Sequence, residues 1–204
     1  MPTVFSYPLL TSYSPTQHTV LGCDATTGDV QRYAMTTLSP MERLADLTPP
    51  AQTTIDMTNF TMWEYNSLEL LLIGVGTGGS TSNATLQLYR NYSLVTSGYS
   101  WAMSHWNTST VSAAGGTSQS AITWTAGGLS ATRGIMARFH ISQGDDTLNP
   151  QVTMSSSQPS NANVLQGVSL SGEATGGIGF VSGIRLIVPV AFNTIGRILL
   201  FGLR

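Results

Sequence analysis

The chain has 204 residues, of which 41% are hydrophobic and only 9% charged, far below the roughly 25% charged share of ordinary soluble domains. Its net charge is −2 and its eight cations are all Arg, a composition that argues against nucleic acid or anionic membrane as partner because a run of phosphates would go unneutralised. The longest apolar run, LELLLIGV at 68–75, is too short to cross a bilayer, and the lone Cys23 reads as a small buried hydrophobe.

In chain order, residues 1–18 carry Pro2, Pro8 and Pro15 among Tyr, Ser and Thr, which suits an extended arm. Met1 to Leu10 lacks the basic start of a signal peptide, so a soluble protein assembled in a cytosol is expected. VLGCDATTGDVQRYAM at 20–35 predicts two short strands around a turn, with Gly28 and Asp24 as turn residues. Ser39, Pro40 and Glu42 form a helix-start signal and Pro49 and Pro50 a stop, predicting one short helix over 40–47. Residues 1–50 are therefore read as an arm, a hairpin and a helix, and residues 51–204 as the main domain.

From Thr53 the pattern is strands and turns. Strands are expected at about 53–60, 67–75, 84–90, 99–105, 120–124, 133–142, 150–155, 163–170, 178–188 and 196–203. Intervals such as TGGSTSN (77–83) and SAAGGTSQS (112–120) read as connections. TGGSTSN lacks the Lys and following helix of a phosphate-binding loop. No repeat of fixed period appears. The fold class expected is all-β, a jelly-roll-like β-sandwich.

Three strands are apolar on both faces. In the last one, Leu199, Phe201 and Leu203 oppose Ile198 and Leu200; in SLELLLIGV, Leu71 and Ile73 oppose Leu68, Leu70 and Leu72; in GIRLIVPV, Ile187 opposes Ile184, Leu186 and Val188. A strand apolar on both faces is covered on both, and a single domain has one core to offer. A second copy is the expected cover, with Leu71, Ile73, Ile187, Leu199, Phe201 and Leu203 as interface residues and cyclic symmetry closing the contact.

Candidate chemistry is sparse. His18, His105 and His140 are scattered, no nucleophile-elbow motif occurs, and no His/Cys cluster suggests zinc. Asp145 and Asp146 in QGDDTLN are adjacent carboxylates that either cap a turn, assist Glu64, Glu69 or Glu173 in glycoside cleavage, or hold calcium with Thr147 and Asn149. Turn chemistry is the simplest account, so no catalytic residue, metal or cofactor is assigned. The richest aromatic stretch is GYSWAMSHWNTST at 98–110. Alternation places Tyr99, Trp101, Met103 and His105 together, with Tyr99 and Trp101 as core, and leaves His105, Trp106 and Asn107 as a binding edge suited to a sugar. The sequons at Asn59, Asn83, Asn91 and Asn107 are expected by chance in a Ser/Thr-rich chain.

The C-terminal segment FVSGIRLIVPVAFNTIGRILLFGLR resembles the close of many tailed-bacteriophage fibre and virion proteins, through Gly183, Ile184, Arg185, Leu186 and then Gly196, Leu200, Phe201, Gly202, Leu203 and Arg204. Phe201 stands where Tyr is usual, and VPVAFNTI is more apolar than the family's turn. YNSLELLLIGVGTGGSTSNATLQLYRN and the 20–35 hairpin are similar to segments of the same group, and the matches span about half the chain. The resemblance implies a homotrimeric jelly-roll head on the surface of a phage particle, joined to other virion proteins through an N-terminal arm in which Tyr7, Tyr13 and Arg32 are the attachment candidates. A tail fibre or tail-tip protein recognising a host-surface glycan or protein is the first reading, and a capsid decoration or head-fibre protein the second. A polysaccharide depolymerase is the third.

Overall fold

The computed structural model describes residues 19–23, 30–34, 41–58, 60, 64–78, 83–125, 133–143, 148–159 and 165–204. The chain divides into two compact units, Met1–Glu42 and Arg43–Arg204. In the first, β1 (Thr19–Cys23) pairs antiparallel with β2 (Val30–Ala34), Thr19 opposite Ala34 and Cys23 opposite Val30. The arm residues Tyr7 and Tyr13 and the turn residues Asp24 and Gly28 lie outside the described residues.

The rest of the chain is all-β. Its strands are β3 (Met41–Leu47), β4 (Thr54–Thr58), β5 (Ser67–Val75), β6 (Thr85–Arg90), β7 (Ser93–Leu94), β8 (Tyr99–Trp106), β9 (Val111–Gln119), β10 (Ile122–Thr123), β11 (Ile135–Ser142), β12 (Gln151–Pro159), β13 (Leu165–Ala174), β14 (Val181–Ile187) and β15 (Arg197–Leu203). Eight form one sheet in the order β3-β15-β5-β11-β12-β13-β8-β9. A smaller, curled sheet runs β10-β6-β14-β4, with β7 added beside β6. The pairings are antiparallel, so every strand presents alternate residues to opposite faces.

The core lies where inward residues of the two sheets meet. Leu70, Phe139, Leu200, Leu86, Ile122 and Ile184 are all fully buried. Trp124 meets the Phe139 ring edge-on, with centroids 5.5 Å apart. Tyr99 is fully buried and Trp101 packs partly buried against the core.

Two expectations about secondary structure are corrected. Residues 41–47 form strand β3 and no helix occurs among the described residues. The capping signal offered a start, but one or two turns of helix are marginal by themselves. The segment pairs with the edge of β15 instead, and Leu44, Ala45 and Leu47 pack against the core. The Arg197 guanidinium donates to Asp46 through Nε at 3.1 Å and through Nη2, tying the two strands together. The stretch 112–120, read as a connection, lies for all but its last residue in β9 (Val111–Gln119). Ala, Gly and Ser have little strand preference, and β9 exists because β8 supplies its hydrogen bonds, Trp106 opposite Val111 and Met103 opposite Ala114.

Candidate functional site

The eight-stranded sheet has an inner face on the core and an outer face turned away from it. Register fixes the layout of the outer face. One row runs Leu199, Leu71, Arg138, Ser155, Ser169, Ser104; the next runs Phe201, Glu69, His140, Thr153, Ser171, Ala102. A third runs Arg197, Ile73, Met136, Ser157, Gly167, Trp106. The face is thus zoned: apolar on β15 and β5, ionic at the β5–β11 seam, hydroxyl-rich over β12, β13 and β8.

The ionic zone is built around Glu69, which is 4% exposed. Arg138 grips it with two bonds, Nε to Oε2 at 2.6 Å and Nη2 to Oε1 at 3.0 Å. His140 Nδ1, directly opposite in the ladder, lies 2.9 Å from Oε1. An ionised carboxylate only accepts, so Nδ1 carries the proton. Burial pushes the Glu69 carboxyl up, but the bonds from Arg138 and His140 outweigh it and hold the group below its ordinary 4.5. Glu69 in turn pushes the Arg138 guanidinium up through hydrogen bonds and charge. A carboxylate held ionised, with its oxygens already bonded, suits a positioning role better than proton transfer. It fixes Arg138, whose Nη1 takes no protein partner among the described residues.

A depression of about 970 Å³ lies over this zone, floored by Glu69, Arg138 and His140 and walled by Thr153, Ser155, Ser169, Ser171 and Ser104. A second, of about 450 Å³, shares Arg138 and Ser155 with it and reaches Ile73, Met136 and Trp106. A third, of about 360 Å³, holds Trp106, Asn107, Ser157, Leu165 and Gln166.

Trp106 sits where it does because of Gly167. The two are opposite in the ladder, and a Cβ on Gly167 would fall 2.3 Å from the indole carbons Cε2 and Cζ2. The ring therefore lies against the bare backbone of β13, and its other side is open, with 44% of the residue exposed. Asn107 shares the third depression, but its Oδ1 accepts from the backbone N–H of Ser109 at 3.0 Å and of Thr110 at 2.9 Å. It shapes the β8–β9 turn. His105 is not brought into this group: it stands one residue earlier, on the opposite face, bonded through Nε2 to the Ser112 hydroxyl at 2.6 Å.

Of the six interface candidates, Leu71, Ile73, Leu199, Phe201 and Leu203 share the outer face of the large sheet, each at least partly exposed. Ile187 is in the other sheet, on the same side of β14 as Arg185. Arg32 pairs with Leu21 in the hairpin. Asp145 and Asp146 lie outside the described residues, Glu64 faces Arg204 at 3.5 Å, and Glu173 accepts from Gln151 at 3.4 Å. Among the described residues no group of three His, Cys, Asp or Glu could hold a metal.

Sequence reasoning did not find Arg138 or the hydroxyl rows. Alternation in IMARFHIS already puts Met136, Arg138 and His140 on one face, but the partner Glu69 is 71 positions from His140. No family model, no curated protein and no solved structure matches the chain.

Proposed function

We propose that this chain is a structural protein of a tailed-phage virion. In this reading it is a homotrimeric tail fibre or tail-tip protein with a jelly-roll-like head, attached to other virion proteins through its first fifty residues and recognising a host-surface glycan or protein. The two-sheet all-β arrangement supports the head, although the sheets hold eight and five strands.

The observation that carries the oligomer is the outer side of β15. Ile198 and Leu200 face the core at 0% exposure, while Leu199, Phe201 and Leu203 remain half-buried beside Leu71 and Ile73. A strand with so much apolar surface on its second face is stabilised by a further cover, and a second and third copy arranged about a threefold axis supply it without leaving an open end.

The test has two parts. Light scattering of the full chain should give three times 21.6 kDa, and gold-labelled antibody should mark the tail end of purified particles. A monomer at micromolar concentration removes the trimer. Label over the head makes the chain a decoration or head-fibre protein, and label on no particle removes the phage assignment.

A further inference from the structure

We infer that the outer face of the eight-stranded sheet is a binding groove for an uncharged oligosaccharide, running from the Trp106 ring to the Glu69–Arg138–His140 cluster. The inference deepens the host-surface reading above and takes its biological setting from it; the site itself rests on geometry.

The three depressions form one path. The Trp106 and Ser157 walls belong to the two smaller ones, and Arg138 and Ser155 join the middle one to the largest. From β5 to β8 the path crosses four strand spacings, about 19 Å at roughly 4.8 Å each, which accommodates several sugar rings in a row. Its lining has two chemistries that sugars need together. Trp106 offers an open flat face for the apolar side of a ring. Ser104, Thr153, Ser155, Ser169 and Ser171 offer hydroxyls that both donate and accept, arranged at strand spacing.

Charge selects the class of sugar. The cations of this face are already paired, Arg138 with Glu69 and Arg197 with Asp46. Glu173 adds a carboxylate to the same side of β13. Arg138 cancels the charge of the buried Glu69, and Glu173 leaves the face with a carboxylate to spare, so an acidic polymer gains no ion pair that is not already made. A neutral one can accept from the remaining Arg138 N–H groups at no charge penalty. Over the largest depression the outward residues of β12, β13 and β8 are Ser, Thr and Ala, without the large apolar side chains that anchor protein interfaces; those side chains line the middle depression, as Leu71, Ile73, Met136 and Trp106.

The experiment titrates the full chain with maltoheptaose, cellohexaose, chitohexaose and neutral mannan and galactan oligosaccharides, alongside oligogalacturonate and polysialic acid as acidic probes, reading tryptophan fluorescence. At least one neutral probe should quench saturably, and the acidic probes should bind about tenfold weaker or not at all. Trp106→Ala, and Ser155→Phe at an exposed position that fills the groove, should each weaken binding about tenfold or more. Binding by no neutral probe, preference for an acidic probe, or full binding by both variants overturns the inference. A trimer on tail ends that binds no neutral sugar fails this inference alone, whereas a monomer that still binds fails the assembly reading and leaves the groove standing.

Discussion

The phenol oxygen of Tyr99, in β8 of the large sheet, accepts a hydrogen bond from the backbone N–H of Leu88, in β6 of the small one, at 2.7 Å. It donates in turn to the Val95 carbonyl at 3.1 Å. One buried hydroxyl thus links the two sheets. Tyr99→Phe leaves a buried N–H without a partner and should cost about 1–3 kcal/mol, read as a lower urea midpoint at unchanged slope. Burial pushes the Tyr99 phenol up to about 12 from 10. The raised value favours the protonated fold, so its stabilisation is complete below pH 10 and lost as pH climbs through about 12. The wild-type melting temperature should fall across that window more steeply than that of Tyr99→Phe.

Glu69 titrates in the opposite sense. Its folded value lies below the ordinary 4.5, so its contribution is present above that value and lost as pH falls beneath it. Glu69→Gln should melt lower than wild type at pH 7 and lack the wild-type acid step. Thermal melts from pH 7 down to 3 check this; parallel curves at every pH would mean that the Arg138 and His140 bonds carry no stability.

Gly202 is a packing requirement. A Cβ there would sit 2.4 Å from Tyr65 Cδ1, and Arg204 lies over the same ring, 5.5 Å from its centroid. Gly202→Ala should destabilise by about 1–3 kcal/mol through overpacking, measured by chemical unfolding. Gly183 is similarly confined, with Thr58 and Tyr89 carbons 2.9 Å from its Cβ position. Gly183 and Gly202 therefore each have a local steric reason.

The interface candidates divide by sheet, which gives a contrast between variants. Leu199→Asp or Phe201→Asp puts a carboxylate into the proposed contact, where an unpaired charge is expensive. Each should run as a 21.6 kDa monomer in light scattering. Ile187→Asp, on the other sheet, should keep the oligomer. A native-sized assembly in all three variants would remove the β15 face from the interface.

The sequence by itself determined the strands whose signal is local. SLELLLIGV is β5 over its predicted span, and alternation alone put Leu199 and Phe201 opposite Ile198 and Leu200, because side chains in an extended chain point to alternate faces whatever pairs with them. The same rule grouped Tyr99, Trp101 and Met103 on one face, while Trp106, left at the end of the expected strand, is the last residue of β8. Tertiary structure decided what depends on a neighbour. Residues 41–47 carry helix-start signals yet follow the open edge of β15, and 111–119 lack strand propensity yet are held by β8. Above all, pairing register brings Glu69 beside Arg138 and His140 and sets Trp106 on Gly167. Register is fixed by the sum of contacts along whole strands distant in sequence, so no short stretch of residues encodes the groove.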